Sequence, residues 1–253
     1  VRKGGIVPLS GGVAAKKALS ALLFCFAIAS FSYAQKEKRV LVFSKTSGGY
    51  RHESIGAGKL AIVQLGKDAG FAVDTTEDAN VFAEGNLIQY DVVVFLSTSG
   101  NPLNAGQEAA FEKFIQSGKG FVGIHGAAAC EYDWGWYGRL MGGYFSGHPE
   151  IQEAKFVEPD KKFAATSHLP DVWTRRDELY NYKQWTGDNR VILKLDETSY
   201  KGGTMNGDHP IAWYKEFDGG RMFYTGLGHT NESYADPVFL KHLLEGILYS
   251  MNQ

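Results

Sequence analysis

The sequence predicts an α/β protein: three layers, with an open, mostly parallel sheet covered by helices on both faces. Two observations carry this. The apolar runs at 39–43, 91–96 and 121–124 are short and rich in valine, and they do not alternate with polar residues, as expected of strands buried on both sides. Between them lie longer segments whose apolar residues recur at helical spacing and which end on glycine. Strand and helix in repeated alternation imply right-handed crossovers in a parallel sheet.

The elements follow in order. Arg39 to Phe43 reads as a buried strand feeding a loop, Ser44 to Gly49, which contains glycine. From His52 to Ala69, Ile55, Leu60, Ile62, Val63 and Leu65 fall mostly on one helical face, and Gly70 stands where a helix should stop. Phe71 to Asp74 is a second strand and Asp91 to Leu96 a third. Asn104 to Gln116 is an amphipathic helix closed by Gly118 and Gly120, and Phe121 to Ile124 is a fourth strand. The second half is less regular. Residues 126–150 are rich in glycine, tryptophan and tyrosine and suggest a short helix with ordered loops. Val191 to Lys194 is a strand, and Ile211 to Glu216 and Arg221 to Thr225 flank Asp218-Gly219-Gly220, a hairpin signal. Pro237 to Ser250 closes the chain as a helix, with Phe239, Leu243, Leu244, Ile247 and Leu248 facing inward and His242 at the surface.

The first residues predict export. Arg2, Lys3, Lys16 and Lys17 are followed by an uncharged apolar run, 18–31, and then by Ser32-Tyr33-Ala34, the pattern of a secretory signal cleaved after residue 34. The run is shorter than the roughly 18–20 residues that span a bilayer, so stable membrane insertion is not expected. Residues 35–253 then form one domain, periplasmic or secreted. The whole chain has a net charge of −2, and the leader carries four of its cations, so the remainder is more acidic still and nucleic acid is not an expected partner. Cys130 is the lone cysteine beyond the leader and forms no internal disulfide. The loop after the first strand lacks the G-x-G-x-x-G and Walker spacings, so no nucleotide cofactor is expected. Composition leaves the oligomeric state open.

In open parallel sheets ligands sit at the carboxyl ends of the strands. His52 follows the first strand there, His125 the fourth, and His229 the late hairpin strand. Gly123-Ile124-His125-Gly126 has the form of a sharp strand-to-helix turn that presents one side chain in a cleft. Histidine at that place suits proton transfer or metal binding, or it hydrogen-bonds and fixes the loop. His52 either caps the helix it precedes or faces the site. His209, before Pro210, and His229, after Gly226-Leu227-Gly228, carry the same choice between structure and function. His148 and His168 read as loop residues. Asp177 and Glu178 are adjacent, so one is expected to point outward and Glu178 inward. Trp134, Trp136 and Tyr137 crowd one loop and Tyr180, Tyr182 and Trp185 another. They are either sugar platforms at a cleft rim or core fillers. The histidines have no metal-binding spacing in sequence, so a divalent metal is left open and would need convergence in space.

The residues Arg51 to Ile55, Gly123 to Gly126, Gly142 to Phe145 with His148-Pro149, Asp177 to Tyr180, His209-Pro210 and Gly226 to His229 together resemble the ThuA-like (trehalose utilisation) family. The resemblance covers essentially all of residues 35–253. It implies a fold similar to class I glutamine amidotransferases, with His125 in the place of the amidotransferase cysteine, so that a thiol mechanism of amide hydrolysis is not expected. Cys130 is then structural. It also implies a carbohydrate as the small-molecule partner, a keto sugar or a disaccharide derivative. On this reading His125, His229 and Glu178 are catalytic, with the histidines moving protons and the carboxylate orienting them. His52, Glu53, Trp134, Tyr180 and His209 bind substrate. A metal-assisted hydrolase and a non-catalytic sugar-binding protein are the alternatives.

Overall fold

The computed structural model describes residues 37–252, so the expected export signal lies outside the described residues. The first half runs β1 (Arg39–Phe43), β2 (Thr46–Ser47), α1 (Ile55–Ala69), β3 (Ala72–Thr76), α2 (Glu84–Leu87), β4 (Val92–Leu96), β5 (Ser99–Gly100), α3 (Ala105–Gln116) and β6 (Gly120–Ile124). The second runs α4 (Gly135–Met141), β7 (Tyr144–Gly147), β8 (Gln152–Val157), α5 (Ala164–Ser167), β9 (Val172–Asp177), β10 (Asn181–Lys183), β11 (Arg190–Leu195), β12 (His209–Phe217), β13 (Gly220–Thr225) and α6 (Pro237–Ser250).

Nine strands form one sheet in the order β3-β1-β4-β6-β13-β12-β11-β8-β9. The first five are parallel neighbours, as predicted. The chain steps from β1 outward to β3 and then, through β4 and β6, in the other direction. Right-handed crossovers in opposite directions put α1 and α3 on opposite faces, which gives the three layers. The reversal opens a crevice at the carboxyl ends of β1 and β4, the usual place for a ligand in such a sheet.

In the second half the expected strands at 191–194 and 211–216 form as β11 and β12, and with β8 and β9, which were not expected, they extend the sheet antiparallel. Strands β8 and β9 alternate buried and exposed residues, with Lys155 and Arg176 among their polar positions. A strand with one face in water carries little of the continuous apolar signal that marks the parallel half.

Helix α1 ends at Gly70 in the left-handed conformation, as expected, with the Gly70 amide bonded to Gly66 O. Its inner face differs from the prediction. Leu60 is 75% exposed and Val63 is also exposed, while Ile55, Gly58, Ile62 and Gly66 face the sheet. A Cβ on Gly58 would sit 2.9 Å from Leu96 and Tyr234, so the small residue sets how closely the helix lies on the strands. Helix α3 begins with a capping box, Asn104 with Gln107. On α6, His242 is fully buried rather than at the surface. Its ring bridges Ala165 O at 2.8 Å and Thr225 Oγ1 at 3.1 Å, which satisfies both nitrogens inside the core. Leu244 and Leu248 are only partly buried. Among the described residues Cys130 is buried with no disulfide partner, and burial pushes its thiol well above the ordinary value, in keeping with a structural role. Among the described residues no helix is long and apolar enough to cross a membrane.

Candidate active site

His125 stands directly after β6 with φ +48, a left-handed conformation that side-chain-bearing residues seldom adopt. The turn is held from three sides. Gly126 packs so tightly that a Cβ there would lie 3.0 Å from Ser97 Cα. Tyr224 donates its hydroxyl to His125 O at 3.0 Å, and His125 Nδ1 donates to Gly226 O at 2.8 Å. A carbonyl can only accept, so Nδ1 carries a proton and Nε2 of the neutral ring presents its lone pair to the site.

That nitrogen lies 3.1 Å from Glu178 Oε2 and 3.1 Å from His229 Nδ1. His229 Nδ1 is itself 3.0 Å from Glu178 Oε2, so three atoms from three elements form a nearly equilateral triangle. Glu178 follows β9, and its other oxygen is 3.2 Å from His148 Nδ1. His229 follows β13 and is fixed through its backbone. Asp177 accepts the amides of Gly228 and His229, both at 3.1 Å, and a hydrogen bond from Ser233 Oγ at 3.2 Å. Both acids of the Asp177–Glu178 pair are therefore buried, which corrects the expectation that one is solvated. Asp177 ends up inward because it satisfies those amides and faces Arg175 at 3.2 Å. His52, after β1, packs edge-on to His125 and His229, with ring centroids 4.8 and 5.1 Å away. Among the described residues its buried Nδ1 has no hydrogen-bond partner.

Burial pushes the Glu178 carboxyl up, but its close contacts with the His125 and His229 imidazoles outweigh it and hold the group well below the usual carboxylate range. For His229 burial acts downward and the Glu178 carboxylate prevails, raising the imidazole. His52 is lowered to about 3, first by burial and then by the neighbouring imidazoles, so it is neutral at ordinary pH.

The cluster opens into a cavity of about 610 Å³. Tyr50, Tyr132, Phe145, Ile151 and Tyr180 supply its apolar walls. The Tyr180 ring lies 4.1 Å from that of His125. Of the residues predicted from sequence, His52, Glu178, Tyr180 and His229 line this cavity, and His125 lies fully buried behind them. Glu53 stands beside it, on a smaller adjoining cavity that shares Tyr50, Ile151 and His229. Trp134 and His209 do not line it. Trp134 stacks on Trp136 and Tyr137, and its indole N–H binds Glu112 at 3.0 Å, so it is a core filler. His209 is buried behind the wall, with Nε2 donating to Tyr180 O at 2.8 Å and Nδ1 2.8 Å from the Tyr200 hydroxyl. It positions Tyr180 rather than touching a ligand. Tyr182 and Trp185 pack on Trp213.

The family model described as trehalose utilisation, ThuA, matches residues 39–250. The chain belongs to the ThuA family. Its fold is similar to that of a ThuA-like protein from Bacteroides uniformis, at 23% identity and a TM-score of 0.71, covering 85% of this chain and 93% of that one. A ThuA-like protein from Parabacteroides merdae has the same TM-score at 18% identity, over 85% and 90% of the two chains. A GMP synthase subunit from Thermoplasma acidophilum is similar at a TM-score of 0.52 and 13% identity, over 86% and 97%. These identities speak for the fold, which is amidotransferase-like as expected. None of the curated proteins matches this sequence.

Sequence reasoning missed three groups of the ThuA site. His148, read as a loop residue, contacts Glu178 and lines the cavity. Tyr50 and Phe145 form walls, and Asp177 holds the loop of His229. The motif residues Phe145 and His148-Pro149 were the available signal for two of these.

Proposed function

We propose that this ThuA protein is an exported enzyme that acts on a carbohydrate, a keto sugar or a disaccharide derivative, at the centre formed by His125, His229 and Glu178. The observation that supports this most is their mutual contact, at 3.0–3.1 Å, on the floor of an aromatic-walled cavity. A carbonyl acidifies the C–H beside it, and imidazoles near a carboxylate suit the withdrawal and return of that proton. Aromatic walls such as Tyr50 and Tyr180 offer apolar faces to sugar C–H groups. The description of the family supports carbohydrate as the substrate class. The basic, apolar and small-residue pattern of residues 2–34 supports export.

The test is NMR of the purified protein with a panel of disaccharides and their keto derivatives. The expected result is a new product from a keto derivative, lost in His229→Ala. Line broadening with no product from any member would replace the enzyme by a binding protein. Silence from the whole panel would remove the carbohydrate assignment.

A further inference from the structure

The triangle at the cavity floor presents a problem in hydrogen bonding. His125 Nε2, with Nδ1 committed to Gly226 O, is an acceptor in the neutral ring. Glu178 Oε2, as a carboxylate oxygen, is also an acceptor. If no proton is added, two electron-rich atoms face each other at 3.1 Å, with His229 Nδ1 at the same distance from one and 3.0 Å from the other. A proton on Nδ1 of neutral His229 answers its own two contacts but leaves His125 Nε2 facing Glu178 Oε2, whereas a cation receives all three lone pairs.

The edges fit an octahedral cation better than a tetrahedral one. For metal–ligand bonds of about 2.1 Å, neighbouring ligands in an octahedron lie about 3.0 Å apart, whereas tetrahedral neighbours lie about 3.4 Å apart. The observed edges are 3.0, 3.1 and 3.1 Å. Two histidines and one carboxylate on one face are a known arrangement for a divalent transition metal with positions left open for substrate. The surroundings agree. His125 gives its other ring N–H to a backbone carbonyl, as metal-bound histidines do, and Glu178 Oε1 is engaged by His148. A ring nitrogen of His52 lies within 4.8 Å of the three atoms, and among the described residues the buried Nδ1 of that ring has no partner of its own.

We infer that His125 Nε2, His229 Nδ1 and Glu178 Oε2 bind one divalent first-row transition cation as a facial triad, with His52 beside it and the remaining positions turned to the cavity. Adjacent oxygens of a sugar fill those positions. The inference deepens the reading above and changes its division of labour: His125 and His229 are ligands, and the proton is moved by a cavity group outside the triad, for which His148 is placed.

The test uses the metal alone, so that it is independent of the sugar. Protein stripped with a chelator and checked for folding by circular dichroism is titrated with Co²⁺, Zn²⁺ and Mn²⁺. Calorimetry and the visible spectrum of bound Co²⁺ give the readout. One cation per chain is expected, with a weak octahedral Co²⁺ spectrum. In Glu178→Gln and His229→Ala the affinity should fall by more than the roughly 10–100-fold lost on removing an outer partner. His168→Ala, remote from the cluster, should bind as the unsubstituted protein does. No binding of any of the three ions by the folded protein overturns the site. So does binding that persists unchanged in a folded His125→Asn, His229→Ala double variant. If metal binds and the sugar panel is silent, only the carbohydrate reading fails.

Discussion

His125 combines two demands that few residues meet. It must tolerate φ +48, and it must carry a ring nitrogen into the cluster. Asparagine visits the left-handed region readily, so His125→Asn should stay folded while turnover falls by at least about 100-fold. His125→Val should also lower stability by about 1–2 kcal/mol, as seen in urea unfolding, because a branched side chain is strained there. Glu131 shows the opposite use of a carboxylate. Burial pushes it up to about 7, although its Oε1 accepts the Leu103 amide at 3.0 Å. A folded-state value above the unfolded one means that the native state holds the proton longer. Stability should therefore fall as pH rises from about 4.5 through 7. In Glu131→Gln that slope should shrink, which melting temperatures across pH 4–8 would show.

At the scale of elements, the parallel half was legible, as were β11 and the β12–β13 hairpin, but β8 and β9 were not. Strands β1, β4 and β6 announce themselves as continuous apolar runs, and their ends place His52 and His125 correctly. Strands β8 and β9 hide because their polar face looks like loop sequence. His148 was lost with them. Its place depends on β7 pairing with β10, a contact between segments nearly forty residues apart. Asp177 ties this half to the loop after β13. Asp177→Ala would leave the Arg175 side chain buried without its nearest carboxylate, so a loss of about 3–5 kcal/mol is expected in urea unfolding. On the other side, Arg51 grips Glu77 with two hydrogen bonds, of 2.9 and 3.0 Å, and Lys59 adds a third of 2.7 Å. These partners lower Glu77 to about 2 from 4.5. The stabilisation is present above pH 4.5 and is lost as pH falls through 2. Glu77 is partly exposed, so Glu77→Gln should cost less than about 1 kcal/mol at pH 7, and less still as pH falls to 2.

At the scale of the molecule, the site is a meeting of three histidines from the parallel strands with a carboxylate from the antiparallel extension. Separations of 53 and 104 residues along the chain close to 3.1 Å. Sequence periodicity can place each strand end, but it cannot choose which aromatic faces the cavity. Tyr180 does so and Trp134 does not, because Trp134 caps α4 against Glu112 on α3. Under the proposed function, protons beside a sugar carbonyl are exchanged at this centre. The most direct measurement incubates the protein with a keto disaccharide in D₂O and follows deuterium at the carbon next to the carbonyl by NMR. Incorporation or product bearing deuterium with the unsubstituted protein, absent in folded His125→Asn, is the predicted result. Exchange that runs equally fast in that variant would place the chemistry elsewhere and contradict the account.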